Sequence, residues 1–336
     1  MIIKKRGYSE KLAQLEAMER RLPHSHTLKQ RVLTDYKSEL RGIKGEREVD
    51  FPLEFLDPDK FLILHNVRLP DYQGYFQMDT LILSREFILI LEVKNWYGTI
   101  IFGENGQVTR IGDNGREEGF KNPIPQTLLQ QRRLQNWLRT RNVTSIPVTY
   151  LVVISHPSTI IKSSSSINQI PLEVIHNSDL TIKIDELDNL YSSPQLTKQQ
   201  LHHLSRQIVE NHQSNKQNLL DYYYIKKSDL VTGVFCPSCH TAPMVRSRQK
   251  WGCRQCGHYS DKAHLPAFKD YLLLIGNEIS NKDARHLLQI TSPHVAKRLL
   301  QNAKLPAKGK TSARVYDLSP AIKWNELQLR TSCPIR

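Results

Sequence analysis

The 336-residue sequence predicts an α/β protein: a mixed sheet flanked by helices, then a small cysteine-bound ribbon and a helical module. Three observations carry this. Strand-type apolar runs alternate with amphipathic helical patterns up to about residue 195. Four cysteines then fall into two tight pairs between 236 and 256. Short helices with strong capping residues and basic outer positions follow them.

The elements justify themselves in order. Residues 8–21 alternate apolar and charged side chains at helical spacing, and Pro23 stops them. A second helical pattern runs from about His26 to Phe55, with Leu28, Val32, Leu33, Tyr36 and Leu40 on one face. Gly42 and Gly45 lie inside it, so either the helix breaks there or another backbone comes close. Strands are expected over Phe61–Val67, Tyr75–Ser84 and Phe87–Lys94. The third is apolar until its end, as befits a strand buried on both faces. Thr99–Phe102 begins a fourth, with Asn105-Gly106 and Asn114-Gly115 as turns between short strands. A helix from Asn122-Pro123 to about Arg139 precedes a buried strand at Val148–Ser155 and a shorter one at Pro171–His176. Ser163–Ser166 reads as a surface loop, and 196–220 as a polar helical stretch ended by Tyr222-Tyr223-Tyr224.

Charge narrows the class of partner. The chain holds 47 Lys or Arg against 33 Asp or Glu, a net of +14. Residues 221–336 hold 19 of the former and 8 of the latter, a net of +11, which leaves +3 for the first 220. Such polarity suggests one module that grips phosphate and another with a different task. A polyanionic partner is expected, nucleic acid before membrane. No stretch reaches the ~18–20 apolar residues of a membrane span. Met1-Ile2-Ile3-Lys4-Lys5-Arg6 has no signal-peptide core, and five cysteines are too few and odd for a secreted disulfide scaffold. A cytoplasmic protein is expected.

Glu92 and Lys94 stand two apart at the end of an apolar strand and so share a face. Burying that pair beside a core is costly unless they pair with each other or hold a metal. Asp79 is the sole charged residue between Asp71 and Arg85, in the neighbouring strand pattern. If the two strands form a hairpin, Asp79 and Glu92 converge. Two carboxylates give oxygen ligands for Mg²⁺ or Mn²⁺, and a lysine beside them can hold the attacking water, which is what phosphodiester hydrolysis requires. The plain alternative is a strand-end salt bridge.

Asp79 followed by Glu92-Val93-Lys94 resembles the D…ExK signature of the PD-(D/E)XK nuclease superfamily. Gly42-Ile43-Lys44-Gly45-Glu46, Gln77-Met78-Asp79, Glu92-Val93-Lys94-Asn95 with Gly98, and Asn122-Pro123 with Gln126 together resemble the NERD (nuclease-related) domain over roughly 38–155. The resemblance implies a PD-(D/E)XK-like sheet. It implies Asp79, Glu92 and the Val93 carbonyl as Mg²⁺ ligands and Lys94 as catalytic lysine. Glu46 would be an extra ligand or a supporting acid, and Gln126 would orient the site. Met78 departs from the branched aliphatic expected there, which bears on packing rather than chemistry.

Cys236-Pro237-Ser238-Cys239 and Cys253-Arg254-Gln255-Cys256 have zinc-ribbon spacing. Four thiolates close a tetrahedral Zn²⁺ site, so the metal is structural. His240 and His258 are read as solvated surface and Cys333 as a free thiol. Arg246, Arg248 and Lys250 flank Trp251, which either offers a stacking face to a nucleic-acid strand or packs on the ribbon. Ser280-Asn281 and Ser292-Pro293 start two short helices joined by a tight turn. His294, Lys297 and Arg298 face out from the second, as in a helix-turn-helix, or as in a protein-docking hairpin. Lys304, Lys308, Lys310 and Arg314 would form an arm or wing on phosphates.

The expected division is an N-terminal helical segment (1–37), the nuclease-like domain (38–195), a helical linker (196–231), the ribbon (232–262) and the helix-turn-helix-like module (263–336). His202-His203, His212 and the Ser155-His156 pair are set aside as surface groups or groups without catalytic partners. The leading functional reading is a metal-dependent DNA nuclease delivered by its basic C-terminal part. The alternatives are a DNA-binding scaffold that keeps the fold without cutting, and a regulator whose tail binds protein.

Overall fold

The computed structural model describes residues 1–103, 106–112, 114–164, 170–310 and 313–319. Asn105, Ser165, Ser166 and Cys333 lie outside them. The chain divides into two compact units, one of 1–7 and 38–215, the other of 8–37 and the residues from 216 onward. The division differs from the five segments read from the sequence. Residues 196–215 belong with the sheet, and the first helix belongs with the C-terminal elements.

Strands β1 (Ile2–Lys4), β2 (Leu62–Asp71), β3 (Gly74–Leu83), β4 (Ile88–Lys94), β8 (Val148–Ile154) and β10 (Val174–His176) form the main sheet of the first unit, side by side in that order. The β2–β3 and β3–β4 pairs are antiparallel, whereas β1–β2, β4–β8 and β8–β10 are parallel. A second sheet joins β5 (Thr99–Phe102), β6 (Val108–Ile111), β7 (Glu117–Phe120) and β9 (Ile160–Ser163) in the order β7-β6-β5-β9.

Helices cover both faces of the main sheet, which is why β4 could be apolar at every interior position. Ile88 and Ile90 pack with Leu134, Trp137 and Leu138 of α3 (Pro123–Arg139) and with Leu201, Leu204 and Ile208 of α5 (Lys198–Asn211). Leu89, Leu91 and Val93 point the other way. They meet Val49 and Leu53 of α2 (Lys29–Leu53) and Leu180 and Ile184 of α4 (Leu180–Leu190). Helix α3 starts where expected: Asn122 accepts the Ile124 N–H at 2.9 Å, with Pro123 behind it.

The two glycines of α2 resolve differently. The helix does not break at either. A Cβ on Gly45 would lie 2.3 Å from Asn95 Cβ and 2.6 Å from Ser155 Oγ, whereas one on Gly42 would meet nothing. Gly45 is therefore the close-approach residue, letting α2 sit against the loop that follows β4. Met78 is fully buried, filling its place in the sheet core without a branched side chain.

In the second unit, α1 (Glu10–Arg21) shares a core with α6 (Leu219–Tyr222) and the end of α7 (Leu265–Leu274). Asp270 of α7, 1 % exposed, binds Arg20 at 2.6 Å and Arg21 at 2.7 Å. The ribbon strands β11 (Val245–Ser247), β12 (Lys250–Gly252) and β13 (Tyr259–Ser260) form one small sheet. Another joins β14 (Glu278–Ser280), β15 (Ala307–Lys308) and β16 (Val315–Asp317) in the order β14-β16-β15, around α8 (Asn281–Leu288) and α9 (Pro293–Asn302). Ser280 and Asp283 make a reciprocal cap on α8, and Ser292 caps α9. The ribbon and α7–α9 bury one common apolar cluster, including Cys236, Trp251, Phe268, Leu288 and Leu300. No described helix is long and apolar enough to cross a membrane.

Gly45→Ala is expected to cost about 1–3 kcal/mol through overpacking, while Gly42→Ala should gain about 0.5–1 kcal/mol in helix stability. Urea unfolding midpoints of the two variants should therefore move in opposite directions.

Candidate active site and metal centre

The β3–β4 ladder runs from Leu83 opposite Ile88 to Thr80 opposite Leu91 and ends there. Beyond that point β4 continues beside β8 alone, pairing Glu92 with Val152 and Lys94 with Ile154. Asp79 stands where the strands part, and its Oδ2 accepts the Val93 N–H at 2.9 Å. A strand residue's N–H and C=O project to the same side. The Val93 carbonyl therefore lies on the Asp79 side, past the last ladder pair.

Glu92 is 3 % exposed and both of its oxygens are engaged. Lys94 Nζ donates to Oε1 at 2.5 Å and Gln126 Nε2 to Oε1 at 2.9 Å, while Gln130 Nε2 donates to Oε2 at 3.0 Å. Glu92 and Lys94 thus share the sheet face that α3 covers, as their spacing required. Burial, then the charges of Glu92 and Glu46, push the Asp79 carboxyl well above the ordinary carboxylate range; the Val93 N–H and Lys94 pull against this. Burial likewise raises Glu46, opposed by Asn66 and Arg6. Asp79 and Glu92 offer oxygen donors of the hard kind that Mg²⁺ or Mn²⁺ takes, whereas among the described residues only the four cysteines gather three or more possible ligand atoms within 4.8 Å of one another.

Three residues at this site had escaped the sequence reading. Gln130 follows Gln126 by one helical turn, and two glutamines at i, i+4 on one helix face were a usable signal. Arg6 lies on the extension of β1, a strand too short to show periodicity. It donates to Glu46 at 2.8 Å, to Asp50 at 2.8 Å, to the Asp79 carbonyl at 3.2 Å and to Thr80 at 2.9 Å. Asn66, in the middle of β2, adopts a left-handed φ of 48° and donates to Glu46 at 2.8 Å.

The four cysteines form the other constellation. Their sulfurs all lie within 4.8 Å of one another, with Cys236 to Cys256 at 3.6 Å and Cys239 to Cys253 at 3.5 Å. A tetrahedral Zn–S₄ site has sulfurs about 3.8 Å apart, whereas a disulfide needs about 2 Å. All four thiols are free. The two knuckles repeat one backbone pattern. The Cys236 N–H donates to the Thr241 carbonyl and the Cys253 N–H to that of His258, both at 2.9 Å. The residue after each second cysteine, His240 or Gly257, takes a left-handed φ. Hydrogen bonds from Thr241 chiefly lower the Cys239 thiol to about 6, which favours the thiolate a metal needs. The cluster fits a zinc ribbon. His240 and His258 are exposed.

Trp251 is a correction. It is 0 % exposed, and its indole N–H points to His264 Nδ1 at 3.3 Å, so it packs in the core and offers no stacking face. The ribbon has too little apolar surface of its own to leave a tryptophan in solvent. Arg246 is half-buried, its guanidinium 5.2 Å from the Trp251 ring centre. Burial and then the Arg298 charge lower its pKa, which brings the ribbon and α9 cations into one neighbourhood. Arg248 and Lys250 on the ribbon hairpin, His294, Lys297 and Arg298 on α9, and Lys304, Lys308 and Lys310 after it are all exposed.

Residues 41–155 match the family model described as nuclease-related domain (NERD), so the chain carries that domain. An uncharacterized protein of Bacillus anthracis is 25 % identical over 170 residues, covering 50 % of this chain and 76 % of that protein. No solved structure matches the chain.

Elemental analysis of the purified chain should find one zinc. Cys253→Ser is expected to lower both the zinc content and the melting temperature, whereas His258→Ala should leave both unchanged.

Proposed function

We propose that this protein is a metal-dependent nuclease that hydrolyses phosphodiester bonds, with DNA as substrate. One observation carries the reading: where the β3–β4 ladder stops, the Val93 N–H binds Asp79 and Lys94 pairs with Glu92, so that both carboxylates and the Val93 carbonyl belong to one strand end. Asp79, Glu92 and that carbonyl would hold the Mg²⁺ or Mn²⁺ ion. When bound, it supplies Lewis-acid activation of water and neutralises charge on the phosphate. Lys94 holds the attacking water and offsets charge that develops on the phosphate oxygens. Gln126 and Gln130 fix Glu92 from α3, so that its oxygens keep their direction when Lys94 turns to the substrate. Glu46 completes the acidic set. Zn²⁺ at the four cysteines is structural, and the exposed cations of the ribbon, α9 and the segment after it grip phosphates.

A second reading has an observation in its favour. Lys94, Gln126 and Gln130 already engage both Glu92 oxygens. A DNA-binding scaffold that no longer cuts would keep that arrangement permanently.

Incubation of the full chain with plasmid and single-stranded DNA in Mg²⁺ or Mn²⁺ tests the two. The enzyme reading expects nicking or degradation that falls to background in Asp79→Ala and in Lys94→Ala, with melting temperatures retained. DNA binding without cleavage in either metal selects the scaffold. For the grip, Lys297→Ala and Arg298→Ala should each reduce the slope of log affinity against log salt by about 1, uniformly across DNA sequences.

A further inference from the structure

Strands β4 and β8 run parallel with Lys94 opposite Ile154, so both end at the same edge of the sheet. In sheets of this kind ligands bind in the crevice outside the carboxyl ends of the strands. The two segments that leave this edge are tied to each other. The Ser155 N–H donates to the Lys94 carbonyl at 3.1 Å, Thr159 Oγ1 to the Trp96 carbonyl at 2.6 Å, and the Ile160 N–H to the Gly98 carbonyl at 3.0 Å. Both segments line a cleft of about 480 Å³, one through Tyr97 and Gly98, the other through His156 and Ser158. Its aromatic wall is rigid. Arg110 of β6, fixed to Glu118 of β7 at 2.7 Å, lies 4.5 Å from the centre of the Tyr97 ring and covers one face, so a ligand has the other. The His156 ring stands 6.3 Å from that of Tyr97 and is tilted by 52°, so the two make adjoining walls rather than a closed stack. The sequence offers His156 no partner, but Ser158 Oγ lies 3.1 Å from its Nδ1. Gly98, with a φ of 87°, lets the backbones close in: a Cβ there would lie 2.4 Å from the Ile111 carbonyl oxygen.

We propose that this cleft is a stacking subsite for one unpaired nucleobase of the strand being cut, with Tyr97 as the platform and His156 and Ser158 as hydrogen-bonding groups at the edge of the base. The inference rests on the nuclease reading and narrows its substrate to single-stranded or frayed DNA. Position, chemistry and size select this occupant. Tyr97 comes three residues after Lys94, so their α-carbons are at most about 11 Å apart, or about three nucleotide steps. Every nucleobase has a π-face, so an aromatic ring held rigid beside a cation binds bases with little regard to sequence. A bare phosphate would have no use for it. The volume falls among pockets of about 300–1,000 Å³ that enclose one small organic group. A base inside a duplex is stacked on both faces and must leave the helix to reach such a site.

The test is fluorescence anisotropy of a short labelled oligothymidylate and of an abasic strand of equal length, titrated with the zinc-loaded full chain without added Mg²⁺ or Mn²⁺. Tyr97→Leu is expected to raise the Kd for oligothymidylate about 5- to 150-fold, the range that one aromatic stack on a base is worth. It should leave the Kd for the abasic strand unchanged. Tyr97→Phe keeps the ring and should leave both unchanged. An oligothymidylate Kd that does not move in Tyr97→Leu overturns the proposal. So does an equal loss on the abasic strand, which is what a damaged fold would give, and so does a wild-type chain that binds no oligothymidylate. The nuclease reading is judged apart. Metal-dependent cleavage by the wild type together with an unmoved Kd in Tyr97→Leu removes the subsite alone. Tyr97-dependent binding with no cleavage in either metal supports the base-stacking cleft and removes the cutting.

Discussion

The hydrogen bond from the Val93 N–H to the Asp79 carboxylate organises the first unit. It stands where a backbone ladder bond would otherwise close β3 onto β4. Because a side chain takes that place, the β3–β4 ladder stops at Thr80 and Leu91, and the end of β4 pairs with β8 alone. The core behind them makes this tolerable. β4 is buried on both faces and holds the strand end rigid, so its polar groups cannot retreat into solvent. Their charges must then be settled locally, by Lys94, Gln126 and Gln130 on Glu92 and by Arg6 and Asn66 on Glu46. Asp79 is buried and left with one backbone donor among the described residues and two acidic neighbours, and burial first, then those charges, raise its carboxyl well above the ordinary carboxylate range.

The second unit depends on different physics. Its pieces are small, and none could bury a core alone. Cys236 and Cys253, Trp251, and the helices α7 to α9 share one cluster, so the ribbon and the helical module stabilise each other. Asp270 adds a buried anchor, paired with both Arg20 and Arg21. Losing one partner of such a pair is expected to cost about 3–5 kcal/mol. The strand order β14-β16-β15 sets a small sheet beside the two capped helices α8 and α9.

Much of this was legible in the residue order, and the reason is local. Strand β4 announced itself by an apolar run that ends in Glu-x-Lys, α3 by Asn-Pro, α8 by Ser-Asn, and the four-cysteine cluster by two CxxC pairs. Each signal involves residues within about one turn or one strand of one another, where geometry follows from period and capping. Gly45 was half legible: its presence required an explanation, but the Asn95 and Ser155 atoms that supply it are far along the chain. Trp251 misled because a tryptophan among arginines looks the same whether it faces solvent or the core.

By itself the sequence determined which residues could carry the chemistry: Asp79, Glu92, Lys94 and four thiols. Periodicity and spacing act over short distances and are written in neighbouring letters. The tertiary structure alone decided who supports them. Arg6 reaches Glu46, Asn66 leaves its ladder, and α1 joins α7 through Asp270. These contacts join residues dozens to hundreds of positions apart, and no local pattern encodes them. They exist because a buried charge must find a partner wherever the packed chain provides one.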